Sequence, residues 1–412
     1  MNIVFFTDTF VPKVDGIVTS IVNTSEELLR RGHKVKIIAP RIRQNQEEII
    51  KEAYPHLDVH LLSGVKAMFY PDYRITYPST HKIVKILRDH NADIIHFHTP
   101  FTIGFEAILA SAFMKLPLVS TFHTYFIEPE YLKIVHLHRM PGINRFGWAY
   151  SNFFHNSCDA TISPSQFTAD ELCRKDILCP VRVISNGIAL QEARNLSESE
   201  KKAIREKYGL KEKVMLFIGR VSVEKCIDVV MKAAKRVFEK RDDTSLLIVG
   251  SGPALDDLKE LARTMGIEKN TVFAGSIAHN DLISSGIFEV SSFFVTASTS
   301  ENQPMTIIEA SMFGLPLIGV DAKGVPEMIT DNGFVAHSGD DEEIAGYMEK
   351  LLSDEQLRKK MSENAKIRGG EYDIRKTTDQ MEELYNLVIS KVKRQGKRRK
   401  VSFKTLRRLV MG

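Results

Sequence analysis

The sequence predicts an α/β protein made of two open parallel-sheet domains of similar size. The chain has 412 residues, about three times the length of a typical single domain. Short runs of β-branched and aromatic residues alternate with longer helical patterns, a rhythm that is typical of parallel strands joined by helices. A strong turn pair, Asn186-Gly187, precedes a second series of the same kind.

The first series of predicted elements occupies the N-terminal half. Residues 3–7 are a predicted strand, and residues 18–31 are a predicted helix that ends at Gly32. Further strands are predicted at residues 35–39, 94–97, 118–122 and 160–162.

The second series follows residue 187. Strands are predicted at residues 214–218, 246–249, 271–274, 293–296 and 317–320, with a helix over about residues 228–240 after the first of them. The polar segment 191–202 has little to bury and is the predicted linker. Because ligands bind beyond the carboxyl ends of strands in open α/β sheets, two such domains facing each other would form a site in the cleft between them.

Composition excludes several protein classes. Hydrophobic residues make up 43% and charged residues 26%, which is ordinary for a folded protein and unlike a disordered chain. No apolar run approaches the roughly 18–20 residues that a membrane-spanning helix needs. The start, MNIVFFTDTF, lacks a basic region, so we expect no signal peptide. The four cysteines have no CxxC spacing, which favours a reducing cytosol over disulfides or structural zinc.

Positive charge is concentrated at the C-terminus. Residues 391–412 contain ten basic residues and no acidic one, whereas the rest of the chain has 46 basic and 52 acidic residues. Residues 401–411 mix apolar and basic side chains in a way that fits a short amphipathic helix lying on a lipid surface. A solvated end or a nucleic-acid-binding tail is the alternative.

The most specific group of candidate functional residues lies in the second half. Glu301 follows a predicted strand, Pro304 suits the first position of the next helix, and Glu309 lies inside that helix before Gly314 ends it. Acids near a helix start can simply complement its dipole, but that explanation covers Glu301 alone. Two carboxylates eight residues apart beside a helix N-terminus indicate a site for a polar or anionic ligand.

A second group follows an earlier strand of the same domain. Gly219 allows a ligand to approach the backbone, and Arg220 and Lys225 are cations suited to a diphosphate. The alternative is that these cations form surface salt bridges with Glu224 or Asp228.

Three weaker signals complete the candidates. Gly16 lies in the loop between the first strand and first helix, where a backbone could approach a phosphate. The glycines of the turn at residues 250–253 (GSGP) could equally serve the turn itself or the binding of a ligand. His123 lies at the carboxyl end of a strand, where a ligand would be, whereas His96 and His98 are as easily explained as core residues. The histidines have no metal-binding spacing.

Together, Glu301-x7-Glu309, Gly219-Arg220-x4-Lys225 and the Gly16 loop resemble the family 4 retaining glycosyltransferases of the GT-B fold. Supporting segments are IIHFHTP at 94–100, TFHTY at 121–125, VISNGI at 183–188 and VGSGP at 249–253. The likeness covers residues 1 to about 390. The loop at 12–20 and the TSENQ segment at 299–303 are most similar to diacylglycerol glucosyltransferases, and next to phosphatidylinositol mannosyltransferases.

The resemblance implies a GT-B fold with two Rossmann-like domains facing a central cleft. Residues 1–190 would be the acceptor domain, 191–370 the nucleotide-sugar donor domain, 371–390 a helix packing back on the N-terminal domain, and 391–412 a basic amphipathic tail. The family usually has a second glycine where this chain has Ile17, and an acid where it has Ala189.

The resemblance also implies a role for each candidate residue. Arg220 and Lys225 would bind the donor diphosphate, and Glu309 the ribose hydroxyls. Glu301 would hold sugar hydroxyls, His123 would contact the transferred sugar, and Gly16 would lie near the β-phosphate. Catalytic roles fall on His123, Glu301, Arg220 and Lys225, and donor binding on Gly16, Gly219, Arg220, Lys225, Glu301 and Glu309. No Asp-x-Asp metal motif is present, so we expect no metal and no other cofactor.

We therefore expect a retaining glycosyltransferase that moves a hexose onto a membrane lipid such as diacylglycerol. The leading hypothesis for the hexose is glucose, donated by UDP-glucose. The partners of the enzyme would be a nucleotide-sugar donor, a lipid acceptor and an anionic membrane surface on the cytoplasmic face, with no nucleic acid. The alternatives are a GDP-mannose-dependent lipid mannosyltransferase, a soluble acceptor, and a non-catalytic basic-tailed binding protein. The last would explain the tail but not the intact Arg, Lys and Glu set.

Overall fold

A computed structural model of the chain describes residues 1–13, 15–67, 73–123, 125, 142–189 and 194–395. It consists of two compact units: unit 1 holds Met1–Gly187 together with the chain from Ile374, and unit 2 holds Ile188–Asp373. Each unit contains a parallel sheet connected by helices. This confirms the predicted α/β class with two Rossmann-like domains.

In unit 1, the described strands are β1 (Asn2–Phe6), β2 (Lys34–Pro40), β3 (Asp58–Leu62), β4 (Gly64–Lys66), β5 (Arg74–Thr76), β6 (Ile94–Phe97), β7 (Leu118–Thr121), β8 (Ala160–Ser163) and β9 (Val181–Val183). The described helices are α1 (Gly16–Arg30), α2 (Gln46–Ala53), α3 (Thr80–Asp89), α4 (Thr102–Met114), α5 (Ile143–Asn156), α6 (Gln166–Arg174) and, from the C-terminal end, α16 (Ile374–Gln395). The parallel sheet has the order β3-β2-β1-β6-β7-β8-β9, and β4 and β5 form an antiparallel pair.

Both faces of the unit 1 sheet are buried. Along β1, Ile3 and Phe5 belong to one hydrophobic cluster, whereas Val4 and Phe6 belong to another on the opposite face. A strand that is buried on both faces does not alternate between apolar and polar residues. These strands therefore appear in the sequence as continuous apolar runs.

Helix α1 begins two residues earlier than predicted. The Asp15 side chain accepts a hydrogen bond from the Val18 N–H at 2.9 Å and caps the helix, so Gly16 is its first residue. The prediction that Gly16 lies in a loop is therefore wrong, although it still lies at the helix N-terminus, where backbone N–H groups favour anions. Val14, from the same predicted loop, lies outside the described residues.

Helix α16 packs against α1 within unit 1. Tyr385 is fully buried in the cluster that contains Ile3, and Arg31 donates hydrogen bonds to Asp379, at 2.6 Å, and to Glu382. The sequence predicted a helix over 371–390, whereas the structure has it over Ile374–Gln395, and residues 371–373 belong to unit 2. The remainder of the predicted basic tail, residues 396–412, lies outside the described residues.

In unit 2, the strands are β10 (Lys213–Ile218), β11 (Thr244–Val249), β12 (Thr271–Gly275), β13 (Phe293–Val295), β14 (Leu317–Val320) and β15 (Gly333–Ala336). The helices are α7 (Glu198–Tyr208), α8 (Ile227–Phe238), α9 (Leu255–Thr264), α10 (His279–Ser284), α11 (Ile287–Val290), α12 (Met305–Met312), α13 (Val325–Met328), α14 (Asp341–Ser353) and α15 (Glu355–Gly369). The parallel order β12-β11-β10-β13-β14-β15 is the doubly wound order, and it reverses direction between β10 and β13.

The predicted linker at 191–202 is wrong for its second half. Residues 190–193 lie outside the described residues, but Glu198 already belongs to helix α7. Ser197 and Glu200 form a reciprocal capping box: the Glu200 N–H donates to the Ser197 hydroxyl at 3.3 Å, and the Ser197 N–H donates to the Glu200 carboxylate at 2.7 Å. This local capping stabilises a helix start even where no residue of the helix is buried.

Among the described helices, none combines the length and apolar composition required to cross a membrane.

Candidate functional site

The candidate residues of unit 2 gather at the carboxyl edge of its sheet, beside the point where the strand order reverses. Gly219 and Arg220 follow β10 directly, and Glu301 follows β13, the strand paired with β10. Lys225 ends a short 3₁₀ turn, Val223–Lys225, that leads into α8. Ligands of doubly wound sheets bind at this switch point, so these residues lie where a ligand of this sheet is expected.

The Lys225 ammonium donates a hydrogen bond to the Glu301 carboxylate, which joins the two candidate groups. The side chains are 19% and 18% exposed, so the pair is largely shielded from water. Lys225 therefore pairs with Glu301 and not with Glu224 or Asp228, the acids considered above as its alternative partners. Glu224 accepts from the Ser222 hydroxyl at 2.5 Å, and Asp228 pairs with Lys232 at 3.0 Å.

Gly219 and exposed Arg220 are held by the turn at Gly250–Gly252. The Gly219 N–H donates to the Val249 carbonyl and the Val221 N–H to the Ser251 carbonyl, each at 3.0 Å. A Cβ at Gly250 would overlap the Gly219 carbonyl, and one at Gly252 would overlap the Val221 carbonyl. The GSGP turn thus has a structural role: its glycines permit close packing of the backbone that carries Arg220.

Glu309 is the fifth of the eight residues of α12 and is buried. Pro304 caps this helix with extended backbone angles (φ −69°, ψ 122°), and Met305 is the first helical residue, so the prediction that Pro304 occupies the first helical position is off by one. Gly314 follows the helix with a positive φ of 74°, as its predicted role at the helix end requires.

Sequence reasoning missed Lys323, a third cation at the same sheet edge. It follows β14, the neighbour of β13, and has a positive φ of 49°. Burial lowers the pKa of Lys323 to about 8. The next residue, Gly324, donates its N–H to the Glu301 carbonyl at 3.2 Å, which ties this turn to the Glu301 loop. The available signal was a lysine three residues beyond the predicted strand at 317–320.

In unit 1, His123 lies two residues beyond β7 and forms a hydrogen bond with His98, Nδ1 to Nε2, at 3.0 Å. His98 directly follows β6 and is buried. Both nitrogens of His96 are bonded, to the Tyr385 hydroxyl at 2.7 Å and the Thr121 hydroxyl at 2.8 Å, so His96 fits the core interpretation. Burial lowers the pKa of His96 and of His123 to about 3, and that of His98 well below its ordinary value. All three rings are therefore neutral near pH 7.

Asp8 is a second residue that sequence reasoning missed. Its buried carboxylate accepts hydrogen bonds from the Ile103 N–H at 2.8 Å, the Thr99 hydroxyl at 2.8 Å and the Thr102 hydroxyl at 3.0 Å. Burial raises the pKa of Asp8 to about 6. Because these donors lie at the start of α4, Asp8 fixes this helix at the carboxyl end of β1.

No cluster of three or more His, Cys, Asp or Glu side chains suited to a metal ion occurs within the part of the chain that the structure describes.

Two protein-family descriptions together match most of the chain. Glycosyltransferase Family 4 matches residues 14–192, and Glycosyl transferases group 1 matches residues 200–368. The chain is 30% identical over 356 residues to the alpha-monoglucosyldiacylglycerol synthase of Streptococcus pneumoniae, covering 85% of this chain and 78% of that protein. It is 25% identical to a GDP-mannose-dependent alpha-mannosyltransferase of Corynebacterium glutamicum, over 80% of this chain and 75% of that one.

Solved structures show the same fold at lower identity. HepE of Anabaena in complex with UDP superposes with a TM-score of 0.74 at 20% identity, covering 94% of this chain and 100% of that one. Sucrose-phosphate synthase of Thermosynechococcus elongatus superposes with a TM-score of 0.73 at 17% identity. These neighbours share the two-domain fold that the resemblance implied.

Proposed function

We propose that this chain, which belongs to glycosyltransferase family 4, transfers glucose from UDP-glucose to a membrane lipid such as diacylglycerol, with retention of configuration. The observation that carries the proposal is the Lys225–Glu301 pair at the switch point of unit 2, where a cation for phosphate and a carboxylate for hydroxyls lie in contact. The name of the pneumococcal relative supports glucose and the lipid acceptor.

In the proposed reaction, the bond between the sugar C1 and the leaving phosphate oxygen breaks. Positive charge develops on the sugar and negative charge on the diphosphate. Arg220 and Lys225 would stabilise the diphosphate as cations, and Lys225 would act the more strongly because its side chain is largely shielded from water. We propose that this arrangement needs no metal and no other cofactor.

The remaining site residues would hold the donor in place. Glu309 would accept hydrogen bonds from the ribose hydroxyls and Glu301 from the sugar hydroxyls, because ionised carboxylates are acceptors only. Gly219 and Gly16 would let the backbone approach the diphosphate, and His123 would contact the transferred sugar. The acceptor hydroxyl would attack C1 on the face from which the phosphate leaves, and its proton would pass to the leaving phosphate oxygen.

The basic C-terminal segment is the proposed membrane anchor. Ten basic residues fall within 391–412, and each Lys or Arg near an anionic surface gains roughly 1 kcal/mol. We propose that the enzyme is peripheral on the cytoplasmic face of the membrane, since an acceptor dissolved in a bilayer requires the enzyme to stay at that surface.

The test of donor and acceptor incubates the full chain with vesicles of anionic phospholipid and diacylglycerol and, separately, UDP-glucose, UDP-galactose or GDP-mannose. Mass analysis of the extracted lipids should show a monohexosyl lipid with UDP-glucose. The Lys225→Ala variant is the control for background transfer. A mannosyl lipid formed only with GDP-mannose would instead favour the alternative that the Corynebacterium relative raises.

The test of the anchor truncates the chain after Gln395, which keeps helix α16 complete. The truncated enzyme should lose flotation with anionic vesicles and activity on bilayer lipid, but keep activity on a detergent-solubilised acceptor. Raising the salt concentration should weaken flotation of the full chain, because the attraction is screened. If the truncated enzyme floats at low salt as the full chain does, residues 396–412, which hold seven of the ten basic residues, are not the anchor.

A further inference from the structure

Three histidine rings form a stack at the carboxyl end of the unit 1 sheet. The His96 and His98 ring centroids are 4.2 Å apart, and those of His98 and His123 are 5.3 Å apart. Phe5 packs edge-on against His98 at 5.0 Å, which further fixes that ring. Hydroxyl groups, which can donate or accept, serve both nitrogens of His96, so its surroundings do not dictate its tautomer.

The His98–His123 hydrogen bond has only two arrangements of protons. Burial lowers the pKa of both rings, so each carries a single N–H near neutral pH. Either the Nδ1–H of His98 donates to Nε2 of His123, or the Nε2–H of His123 donates to Nδ1 of His98. The choice also determines whether the other nitrogen of His98, Nε2, carries a proton.

The surroundings of His98 Nε2 decide between the two. This nitrogen is buried, and none of the described residues offers it a hydrogen-bond partner. If Nδ1 accepted, Nε2 would be a buried N–H without an acceptor; if Nδ1 donates, Nε2 is an acceptor without a donor, and unsatisfied buried N–H groups are the rarer of the two in proteins. We infer that His98 donates from Nδ1 to Nε2 of His123 and thereby holds His123 in the tautomer that carries its proton on Nδ1.

This assignment gives His98 the role of a positioning residue. With Nε2 occupied as an acceptor, His123 is left with Nδ1–H as its donor and can offer a hydrogen bond to an oxygen atom. If, as proposed above, His123 contacts the transferred sugar, the oxygen would be a sugar hydroxyl or the departing phosphate. That consequence rests on the proposed function, whereas the tautomer itself does not.

The tautomer is tested directly by ¹⁵N NMR of the imidazole rings in the full chain at neutral pH, because ring nitrogens with and without a proton differ widely in chemical shift. The His123 signals are identified by their loss in the His123→Gln variant. We expect the Nδ1–H pattern for His123 in the wild-type enzyme. An Nε2–H pattern for His123 would overturn the inference without reference to any variant.

Two substitutions of His98 then distinguish the effect of its hydrogen bond to His123 from the effect of its packing in the core. In His98→Asn, the side-chain amide can present an N–H near the position of Nδ1, and the tautomer should be retained. In His98→Leu, the donor is lost, and the His123 tautomer ratio should shift by about twofold to tenfold, the worth of one net hydrogen bond. His155→Gln is the control, since buried His155 bonds the Ser120 hydroxyl instead. An unchanged ratio in His98→Leu overturns the inference.

Kinetics test the role in transfer. The kcat of His98→Leu should fall in proportion to the fraction of His123 that remains in the Nδ1–H tautomer, that of His98→Asn should stay near wild type, and the KM for UDP-glucose should change little in both. If the ratio shifts and kcat does not, His98 does not position a group for transfer. If the wild-type enzyme transfers none of the sugars tested, the proposed function fails and the NMR result still stands.

Discussion

Lowering the pH from 7.5 to 5 should destabilise unit 1, because several of its histidines are buried as neutral rings. His96 and His155 are 0% and 1% exposed, and burial lowers the pKa of each to about 3. In the unfolded chain these rings protonate near their ordinary pKa of about 6.5. Above pH 6.5 the rings are neutral in both states, and the protein has its full stability. As the pH falls from 6.5 towards 3, only the unfolded chain binds protons at these rings, and stability is lost.

The size of the loss follows from these shifts. At pH 5, which is 1.5 units below the ordinary histidine pKa, each of these rings is protonated in the unfolded chain but neutral in the folded one. This difference lowers the free energy of unfolding by about 2 kcal/mol for each ring, or about 4 kcal/mol for His96 and His155 together. Asp8 acts in the opposite direction. Its pKa is raised from 3.8 to about 6, so the folded state binds a proton first and regains about 1.4 kcal/mol. The net loss is about 2.5 kcal/mol, and His98 and His123 increase it.

Trp148 provides the assay, because it is the single tryptophan of the chain and lies on α5 of unit 1. Its ring is nearly parallel to that of Phe122, with centroids 6.4 Å apart. Urea unfolding followed by Trp148 fluorescence at the two pH values should give the loss in the free energy of unfolding.

Two variants test the cause of this loss. His155→Gln should reduce it by about 2 kcal/mol, since one titrating ring is removed. His337→Gln should not reduce it, because His337 is an exposed residue of unit 2 whose hydrogen bond with Glu343 raises its pKa, the opposite direction from burial. A wild-type loss below about 1 kcal/mol, or the same loss in His155→Gln as in wild type, would refute the reasoning.

Three further predictions concern unit 2. Lys225→Ala should lower transfer by about 10²–10³-fold with the fold retained, and normal turnover would remove this residue from the mechanism. Glu309→Gln should weaken binding of the nucleoside diphosphate in calorimetry, because an amide offers fewer acceptor sites to a ribose diol; unchanged affinity would contradict that role. Gly252→Ala should reduce donor affinity by displacing the Val221 backbone next to Arg220, whereas Gly346→Ala, with open space around its Cβ, should bind normally. If the two glycine variants bind the donor with equal affinity, the turn at Gly250–Gly252 does not contribute to donor binding.

The central strands were predictable because burial on both faces leaves a continuous apolar run in the sequence. The strands at residues 94–97 and 317–320 agree with β6 and β14 at both ends. The strands not predicted are β3, β9 and β15, which are edges of the two parallel sheets, and β4 and β5, which form the separate antiparallel pair. Each of these three edge strands is only partly buried, so its residues lack the apolar run that marks a central strand.

The residue types of the candidate site were also visible in the sequence. Gly219, Arg220 and Glu301 follow predicted strands, and the parallel α/β pattern places the carboxyl ends of such strands at one edge of a sheet. This reasoning works because the signal is local: a strand, its end, and the next few residues.

Only the tertiary structure decided which side chains meet. Lys225 pairs with Glu301, 76 positions away, rather than with the nearby acids, because β10 and β13 are neighbours in the sheet. His98 bonds His123, 25 positions away, because β6 pairs with β7. Strand adjacency arises from the packing of the whole unit, which no short stretch of sequence encodes. The sequence by itself therefore determined the types of elements and the chemistry at their ends, and the fold determined the partners.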